Sequence, residues 1–200
     1  QECANNTEFA KMLFAMISSL RGSICSYQGE ELGLTEADIA YEDIQDPYGI
    51  NFWPQFKGRD GCRTPHPWQH DEKNAGFSQT KPWLPVTTEH QEKSVDVQTH
   101  RADSVLNSYR HFTQWRKQHS ALLYGEITFV DTPEPIFAFT REDELEKLFV
   151  CFNFSDTTQT LALDLVLDDV SVLTKHKLTS GKIVDGHITL PPFACLYASL

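Results

Sequence analysis

Two stretches of the chain carry apolar residues at the three- and four-residue spacing of an α-helix. The first runs from Thr7 to Leu20 and the second from Asp103 to Ser120, and Thr7 and Asp103 are residue types that cap helix starts. The pattern therefore predicts two helices, each with one buried face. The apolar residues of these faces are Phe9, Met12, Leu13, Met16, Ile17 and Leu20 in the first, and Val105, Leu106, Tyr109, Phe112 and Trp115 in the second.

From Leu122 onward the apolar period falls to two and the runs become short. Turn signals such as Ser180-Gly181 and Asp185-Gly186 separate several runs. About seven short alternating strands predict an antiparallel β-sandwich. The candidate strands are Glu126–Val130, Ile136–Arg141, Lys147–Phe154, Thr158–Leu163, Val170–Thr174, His187–Leu190 and Ala194–Ser199.

The region between the two helices has a different texture. Ser23–Gln28, after Gly22, is a candidate short strand, and with the helix before it forms an α/β unit. From Glu30 to about Ala102 the chain is rich in proline and aromatic residues and shows little clean periodicity. A segment with so many large apolar side chains is too hydrophobic for a slack linker. We therefore expect a long ordered loop, of the kind that usually carries function.

Charge and cysteine content exclude several classes of protein. The net charge is −11 and the pI is about 5.1, without any basic stretch, which argues against partners such as nucleic acid or an anionic membrane surface. The apolar run Met12–Leu20 is too short to span a bilayer, and no targeting signal is recognised. The five cysteines form no Cys-x-x-Cys pair, so we expect free thiols and a cytoplasmic location. The histidines lack metal-ligand spacing, and we expect no metal and no cofactor.

Four segments of the chain resemble the maltase and oligo-1,6-glucosidase branch of the α-amylase family, glycoside hydrolase family 13. Tyr27–Gly33 (YQGEELG) is similar to the end of the eighth barrel strand in those enzymes, and Gly58–Trp68 (GRDGCRTPHPW) to their Gly-Arg-Asp-x-x-Arg-Thr-Pro-Met-x-Trp block. Tyr41–Asn51 and Asn74–Ser78 also match the branch, in the same order and spacing. One departure stands out, because His66 occupies a position where these enzymes usually carry Met.

The resemblance implies a fold class and a division of the chain. Residues 1–120 would be the last helix-strand-helix part of a (β/α)₈ TIM barrel with a long loop after the eighth strand. Residues 121–200 would be the C-terminal antiparallel β-sandwich. We expect residues 1–120 to be unstable alone, because an isolated barrel unit leaves a strand edge unpaired. The sandwich from about Leu122 is expected to fold by itself.

The resemblance also implies a retaining, exo-acting α-glucosidase that removes terminal glucose from maltose- or isomaltose-type substrates. In the relatives the catalytic Asp, Glu and second Asp follow strands four, five and seven, so this chain would begin after all three. We therefore predict no catalytic residue within it, and no activity for the 200 residues alone. The preference for α-1,4 or α-1,6 bonds and the oligomeric state stay open.

The candidate site residues lie in the two best-matching segments. We predict that Arg59 and Arg63 bind substrate, because an arginine fork can bond two adjacent hydroxyl groups or clamp a carboxylate that does so. The competing interpretation is a structural salt bridge that fixes the long loop. Glu30 and Asp60 are predicted to support the site. Glu30 and Glu31 cannot form a catalytic pair, because adjacent residues at a strand end point in opposite directions.

Two other functions remain open at this point. A glucosyl-transferring isomerase on the same fold would differ mainly in upstream loops. A non-catalytic amylase-like accessory or binding domain is the other, and it need not keep the upstream catalytic carboxylates. The intact Arg59 block favours an enzyme.

Overall fold

The computed structural model describes residues 6–162 and 170–200. Its helices, with the labels used below, are α1 (Thr7–Ser19), α2 (Pro47–Phe52), α3 (Thr88–Glu92), α4 (Val95–Thr99), α5 (Val105–Arg116) and α6 (Ser120–Tyr124). Its strands are β1 (Glu126–Val130), β2 (Ile136–Glu142), β3 (Lys147–Asn153), β4 (Gln159–Ala162), β5 (Ser171–Leu173), β6 (Lys182–Val184), β7 (His187–Leu190) and β8 (Cys195–Ser199). The chain divides into two compact units. The first holds Ser26–Asn107, and the second holds Glu8–Cys25 with Ser108–Leu200.

The predicted β-sandwich is confirmed. Five strands form one antiparallel sheet in the order β1-β2-β3-β8-β5, and three form a second in the order β4-β7-β6. All seven predicted strands occur, and each described end falls within one residue of its prediction; Leu163 lies outside the described residues. The sequence missed β6, which is only three residues long. It joins β7 through a two-residue turn in which Asp185 and Gly186 both have positive φ, as hairpin turns favour.

Both predicted helices are present, but the second is shorter than predicted, and a separate short helix that was not predicted follows it. Helix α5 ends at Arg116, and α6 starts again at Ser120. His119 between them is extended, and its Nδ1 lies 2.5 Å from Glu146 Oε1. The other oxygen of Glu146 accepts a hydrogen bond from Ala121 N at 3.2 Å, in the first turn of α6. A side chain from a distant hairpin therefore caps the new helix, and periodicity within one helix cannot reveal such a contact.

The prediction of a strand at Ser23–Gln28 is wrong for this structure, because this segment pairs with no strand among the described residues. A strand is defined by hydrogen bonds to a neighbouring strand. The side chains of this segment are exposed, including Ile24 and Tyr27. The family resemblance makes it the eighth strand of a barrel, whose pairing partners would be the first and seventh strands.

The second unit has an apolar core on each face of its five-stranded sheet. One core lies between the two sheets and includes Phe149, Cys151 and Ile188. The other packs Phe139 and Val150 of the same sheet against helical residues; those helical residues are Met12, Ala15, Phe112, Trp115, Ala121 and Leu122. The expectation that the sandwich folds by itself from Leu122 is therefore revised. Without α1 and α5, an entire apolar sheet face would be exposed to water.

Two arginines of the second unit bind the end of α1. The fully buried Arg141 donates to Ser19 O at 2.6 Å and to Gly125 O at 2.8 Å. Arg116 Nε donates to Ser18 O at 2.6 Å. Since α1 has no basic residue in its own last turn, these two cations satisfy its terminal carbonyl groups and complement its dipole.

Candidate functional site

The segment after Ser23–Gln28 is a tight turn shaped by two adjacent glutamates. Ser26 Oγ and Tyr27 N both donate to Glu30 Oε2 at 3.2 Å. Gly29 N donates to Glu31 Oε2 at 2.9 Å. Glu30 therefore fixes the residues before the turn and Glu31 the turn itself. The two carboxylates have separate partners, and they lie in a short 3₁₀ turn, Glu30–Leu32, rather than at the end of a paired strand as expected.

His66 is held by Glu31 from the first segment. His66 Nε2 lies 2.6 Å from Glu31 Oε1, and the imidazole lies 4.6 Å from the Trp68 ring, centroid to centroid. Its Nδ1 is buried and has no hydrogen-bond partner among the described residues. This contact ties Gly58–Trp68 to the end of Tyr27–Gly33. The usual Met could not make it, because a thioether has no N–H to donate.

A cavity of about 100 Å³ lies between these segments of the first unit. Part of its wall is a buried hydrogen-bond chain: His90 Nε2 lies 2.8 Å from Thr35 O, and His90 Nδ1 lies 3.1 Å from Thr64 Oγ1. A carbonyl oxygen can only accept, so Nε2 carries the proton and Nδ1 accepts from the hydroxyl group. Burial lowers the pKa of His90, which keeps the ring neutral. The lining residues are Tyr27, Gln28, Gly29, Glu30, Leu34, Thr35, Glu36, Gly61, Cys62, Thr64, His66 and His90.

The two candidate substrate-binding arginines share one carboxylate, that of Asp46. Arg59 donates to Asp46 Oδ2 from its backbone N at 3.0 Å and from Nε at 3.1 Å. Arg63 Nη1 lies 3.9 Å from the same oxygen. Asp46 is fully buried, whereas the Arg59 side chain is 58% exposed. The structural salt bridge considered above as the competing interpretation is therefore present, and it engages only the inner nitrogen of the Arg59 guanidinium.

Asp60 binds the backbone of the segment that carries Asp46. Its Oδ2 accepts hydrogen bonds from the backbone N of Gln45 at 2.6 Å and of Asp46 at 2.7 Å. It is fully buried, and its Oδ1 has no partner among the described residues. Asp60 thus fixes the backbone that carries Asp46.

Glycine allows the two halves of the cluster to approach closely. Gly58 has φ +79°, and a Cβ there would lie 2.9 Å from Asp46 Cβ. A Cβ on Gly49 would lie 2.6 Å from Lys57 O. The backbone around Asp46 and the backbone before Arg59 are therefore in contact at distances that no larger residue permits.

The structure brings Arg59, Arg63 and Asp60 together around Asp46. Glu30 lies on the other segment, and it lines the same cavity as Gly61 and Cys62 of the arginine loop. Sequence reasoning did not single out Asp46. The signal was present, because an Asp directly before Pro is a strong pattern for a helix start, and Asp46 is the N-cap of α2. Its second role, as the partner of Arg59, depends on a contact across thirteen residues.

Within the described ranges, no group of three or more His, Cys, Asp or Glu side chains is arranged to hold a metal ion. In the same residues, no helix combines the length and apolar character that crossing a membrane requires. Four cysteines are described, Cys25, Cys62, Cys151 and Cys195, and all four are free thiols.

Comparison with known proteins identifies the class. The family model for the α-amylase catalytic domain matches residues 1–125, and the model for the C-terminal domain of the α-amylase SusG matches residues 136–196. The chain belongs to the α-amylase family, and it comprises the end of the catalytic barrel followed by a β-sandwich.

Similar proteins include glucosidases and a glucosyl transfer enzyme. The chain is 46% identical to a probable α-glucosidase of Rhizobium meliloti over 191 residues, which is 96% of this chain and 34% of the relative. It is 34% identical to an oligo-1,6-glucosidase of Parageobacillus thermoglucosidasius over 89% of this chain and 34% of the relative. The crystal structure of an α-glucosyl transfer enzyme is 47% identical and superposes with a TM-score of 0.91, covering 96% of this chain and 36% of that one. The chain thus spans about a third of the length of its relatives.

Proposed function

We propose that this chain is the C-terminal part of a retaining, exo-acting α-glucosidase that hydrolyses terminal α-linked glucose from maltose- or isomaltose-type oligosaccharides. The observation that carries the proposal is the 46% identity to the probable α-glucosidase of Rhizobium meliloti over 96% of this chain. In this assignment residues 1–120 complete the catalytic barrel, and residues 121–200 form the sandwich domain. The matches of the two family models to 1–125 and 136–196 support that division.

The loop arginines supply substrate binding rather than chemistry. Arg59 and Arg63 bind the sugar or a carboxylate that grips it, and Glu30 and Asp60 hold the segments that carry them. The shared partner Asp46 supports this role, because it orients Arg59 while leaving both terminal nitrogens of that guanidinium without a hydrogen bond in the described residues. The catalytic carboxylates belong to barrel strands before this chain.

The expected partner is a small α-glucoside, with water as the second reactant and no organic cofactor. Free thiols at all four described cysteines support a cytoplasmic location, where thiols stay reduced. The acidic net charge suits a neutral sugar better than a polyanion.

A second candidate function is glucosyl transfer to an acceptor other than water. The structure of an α-glucosyl transfer enzyme at 47% identity favours it. Both reactions pass through the same covalent glucosyl-enzyme, so they differ only in whether water or another hydroxyl group attacks it.

The deciding experiment compares p-nitrophenyl α-glucoside cleavage by this 200-residue chain and by the same chain extended to a whole barrel. We expect cleavage only in the extended protein, with glucose released as the α-anomer by NMR. Adding maltose as acceptor and analysing the products separates hydrolysis from transfer. Cleavage by the short chain would mean that Glu30, Glu31 or Asp60 acts catalytically, and inactivity of both would favour an accessory domain.

A further inference from the structure

Asp46 uses its two carboxylate oxygens for two different tasks. Oδ1 accepts a hydrogen bond from Tyr48 N at 3.0 Å and so caps the start of α2. Oδ2 accepts both hydrogen bonds from Arg59. A helix cap alone needs one oxygen, and Ser or Asn would serve it as well as Asp. The second oxygen, Oδ2, and the negative charge of the carboxylate bind Arg59.

A fully buried carboxylate is costly unless donors surround it. Around Asp46 these donors are the Arg59 side chain, the backbone N–H of Tyr48 and the backbone N–H of Arg59, which together hold the pKa of Asp46 below its usual value. Asp46 is therefore charged at neutral pH. Arg63 Nη1, at 3.9 Å, adds a second cation on the same side.

The geometry at Arg59 divides the guanidinium into an inner and an outer edge. Nε on the inner edge is bound to Asp46, while Nη1 and Nη2 on the outer edge make no hydrogen bond within the described residues. Those two nitrogens form the planar fork that matches a carboxylate or a pair of adjacent hydroxyl groups. An arginine without such a partner would lose rotamer entropy when it is ordered by a ligand. Asp46 has already restricted Arg59 before the ligand arrives.

The backbone that carries Asp46 is itself restrained. Asp60 Oδ2 binds the N–H of Asp46, and the contact of Gly58 with Asp46 leaves no room for a larger residue. We propose that Asp46 is a positioning residue that presents the outer edge of Arg59 to the bound glucoside. This proposal rests on the proposed function, since it requires that Arg59 binds sugar.

The test measures kcat and KM for p-nitrophenyl α-glucoside in the protein that carries the whole barrel. We expect Asp46→Ser, which keeps a helix cap but removes the charge, to raise KM about tenfold while kcat stays within about threefold. Asp46→Asn should behave similarly. Arg59→Ala should raise KM at least as much, and Asp46→Ser combined with Arg59→Ala should be no worse than Arg59→Ala alone. Asp38→Asn is the matched control, because it removes the exposed ion pair with Lys57, two residues before Arg59, and should leave both constants unchanged.

The outcomes separate the two proposals. If Arg59→Ala keeps a normal KM, the sugar-binding role of Arg59 is wrong, and the role of Asp46 falls with it. If Arg59→Ala raises KM but Asp46→Ser does not, Asp46 is only a helix cap and the positioning proposal alone is rejected. Loss of folding in both Asp46 variants, measured by circular dichroism, would also reject it, because Asp46 would then be a folding residue.

Discussion

The two compact units of the chain are stabilised by different kinds of contact. The second unit has two apolar clusters with twelve and ten buried residues, made of side chains that alternate along strands or share a helix face. The first unit has one described apolar cluster of three buried residues, Ala37, Ile39 and Ile44. Its interior combines further buried apolar residues, such as Leu32 and Leu84, with buried polar side chains such as Asp46, Asp60 and His90.

This difference determines which amino-acid substitutions each unit can accept without losing stability. An apolar core accepts many residues of similar volume, because the hydrophobic effect is not directional. A buried hydrogen-bond network accepts few, because each donor needs its own acceptor at a fixed position. The hydrogen bonds of the first unit are therefore suited to placing the arginine side chains precisely. The apolar cores of the second unit are suited to stabilising its fold. Three predictions test this contrast, from the largest expected effect to the smallest.

The first prediction concerns the apolar core of the second unit. Phe112 is fully buried and packs against Trp115 and Tyr197, with ring centroids 5.5 Å and 5.8 Å away. We expect Phe112→Ala to lower the free energy of unfolding by roughly 3–5 kcal/mol, through lost burial and an unfilled cavity. The control is Phe129→Ala, since Phe129 is 63% exposed on β1 and should cost less than about 1 kcal/mol. Urea unfolding followed by circular dichroism measures both, and equal losses would show that the core is not the source of stability.

The second prediction concerns pH and the buried His176. Burial lowers its pKa from 6.5 to about 4, and its Nδ1 accepts a hydrogen bond from Leu178 N at 3.2 Å. Because the folded-state pKa is the lower one, the unfolded chain takes up the proton first as the pH falls. The contribution of neutral His176 to the free energy of unfolding is therefore fully present above about pH 6.5. It declines as the pH falls towards 4, by up to about 3 kcal/mol.

The matching variant is His176→Gln, which does not titrate. The difference between pH 7 and pH 4 in its free energy of unfolding should be smaller than in the unmodified chain. His187→Gln is the control, because His187 is exposed in the β6–β7 hairpin and should leave the pH dependence as it was. If the free energy of unfolding of His176→Gln falls between pH 7 and pH 4 as much as that of the unmodified chain, other groups cause the loss of stability in acid.

The contrast between the units also explains which elements the sequence could predict. In the second unit, alternate residues along β3 and β8 face the two cores, so both strands are continuous apolar runs. The ends of such runs are visible in the sequence, and they were predicted within one residue. In the first unit, α2, α3 and α4 have five or six residues each, too few for a helical period to show. Their limits depend on caps such as Asp46 and Thr87, which accept hydrogen bonds from backbone N–H groups two or three residues later.

The candidate site was predictable only in part, for the same physical reason. Arg59, Arg63, Glu30 and Asp60 were chosen as candidates because they lie in segments that resemble a known family. The partners that orient the site did not follow from any local pattern. Asp46 reaches Arg59 across thirteen residues, Glu31 reaches His66 across thirty-five, and Thr64 reaches His90 across twenty-six. Such pairings depend on the tertiary path of a loop that has little periodicity.

The third prediction tests whether the first unit depends on single hydrogen bonds. Thr64→Val keeps the shape of the side chain but removes the hydroxyl group that donates to His90 Nδ1. This nitrogen belongs to a buried side chain and has no other hydrogen-bond partner in the part of the chain that the structure describes. We expect a loss of about 1–2 kcal/mol in the first unit, because an unsatisfied buried acceptor loses hydration without a compensating bond. Thr80→Val, at an exposed position of the same unit, should cost less than about 0.5 kcal/mol. Amide hydrogen exchange resolves the two units separately, so the loss should appear in Ser26–Asn107 and not among the strands of the sandwich. Equal protection in Thr64→Val and Thr80→Val would show that packing, rather than this hydrogen bond, maintains the wall of the cavity.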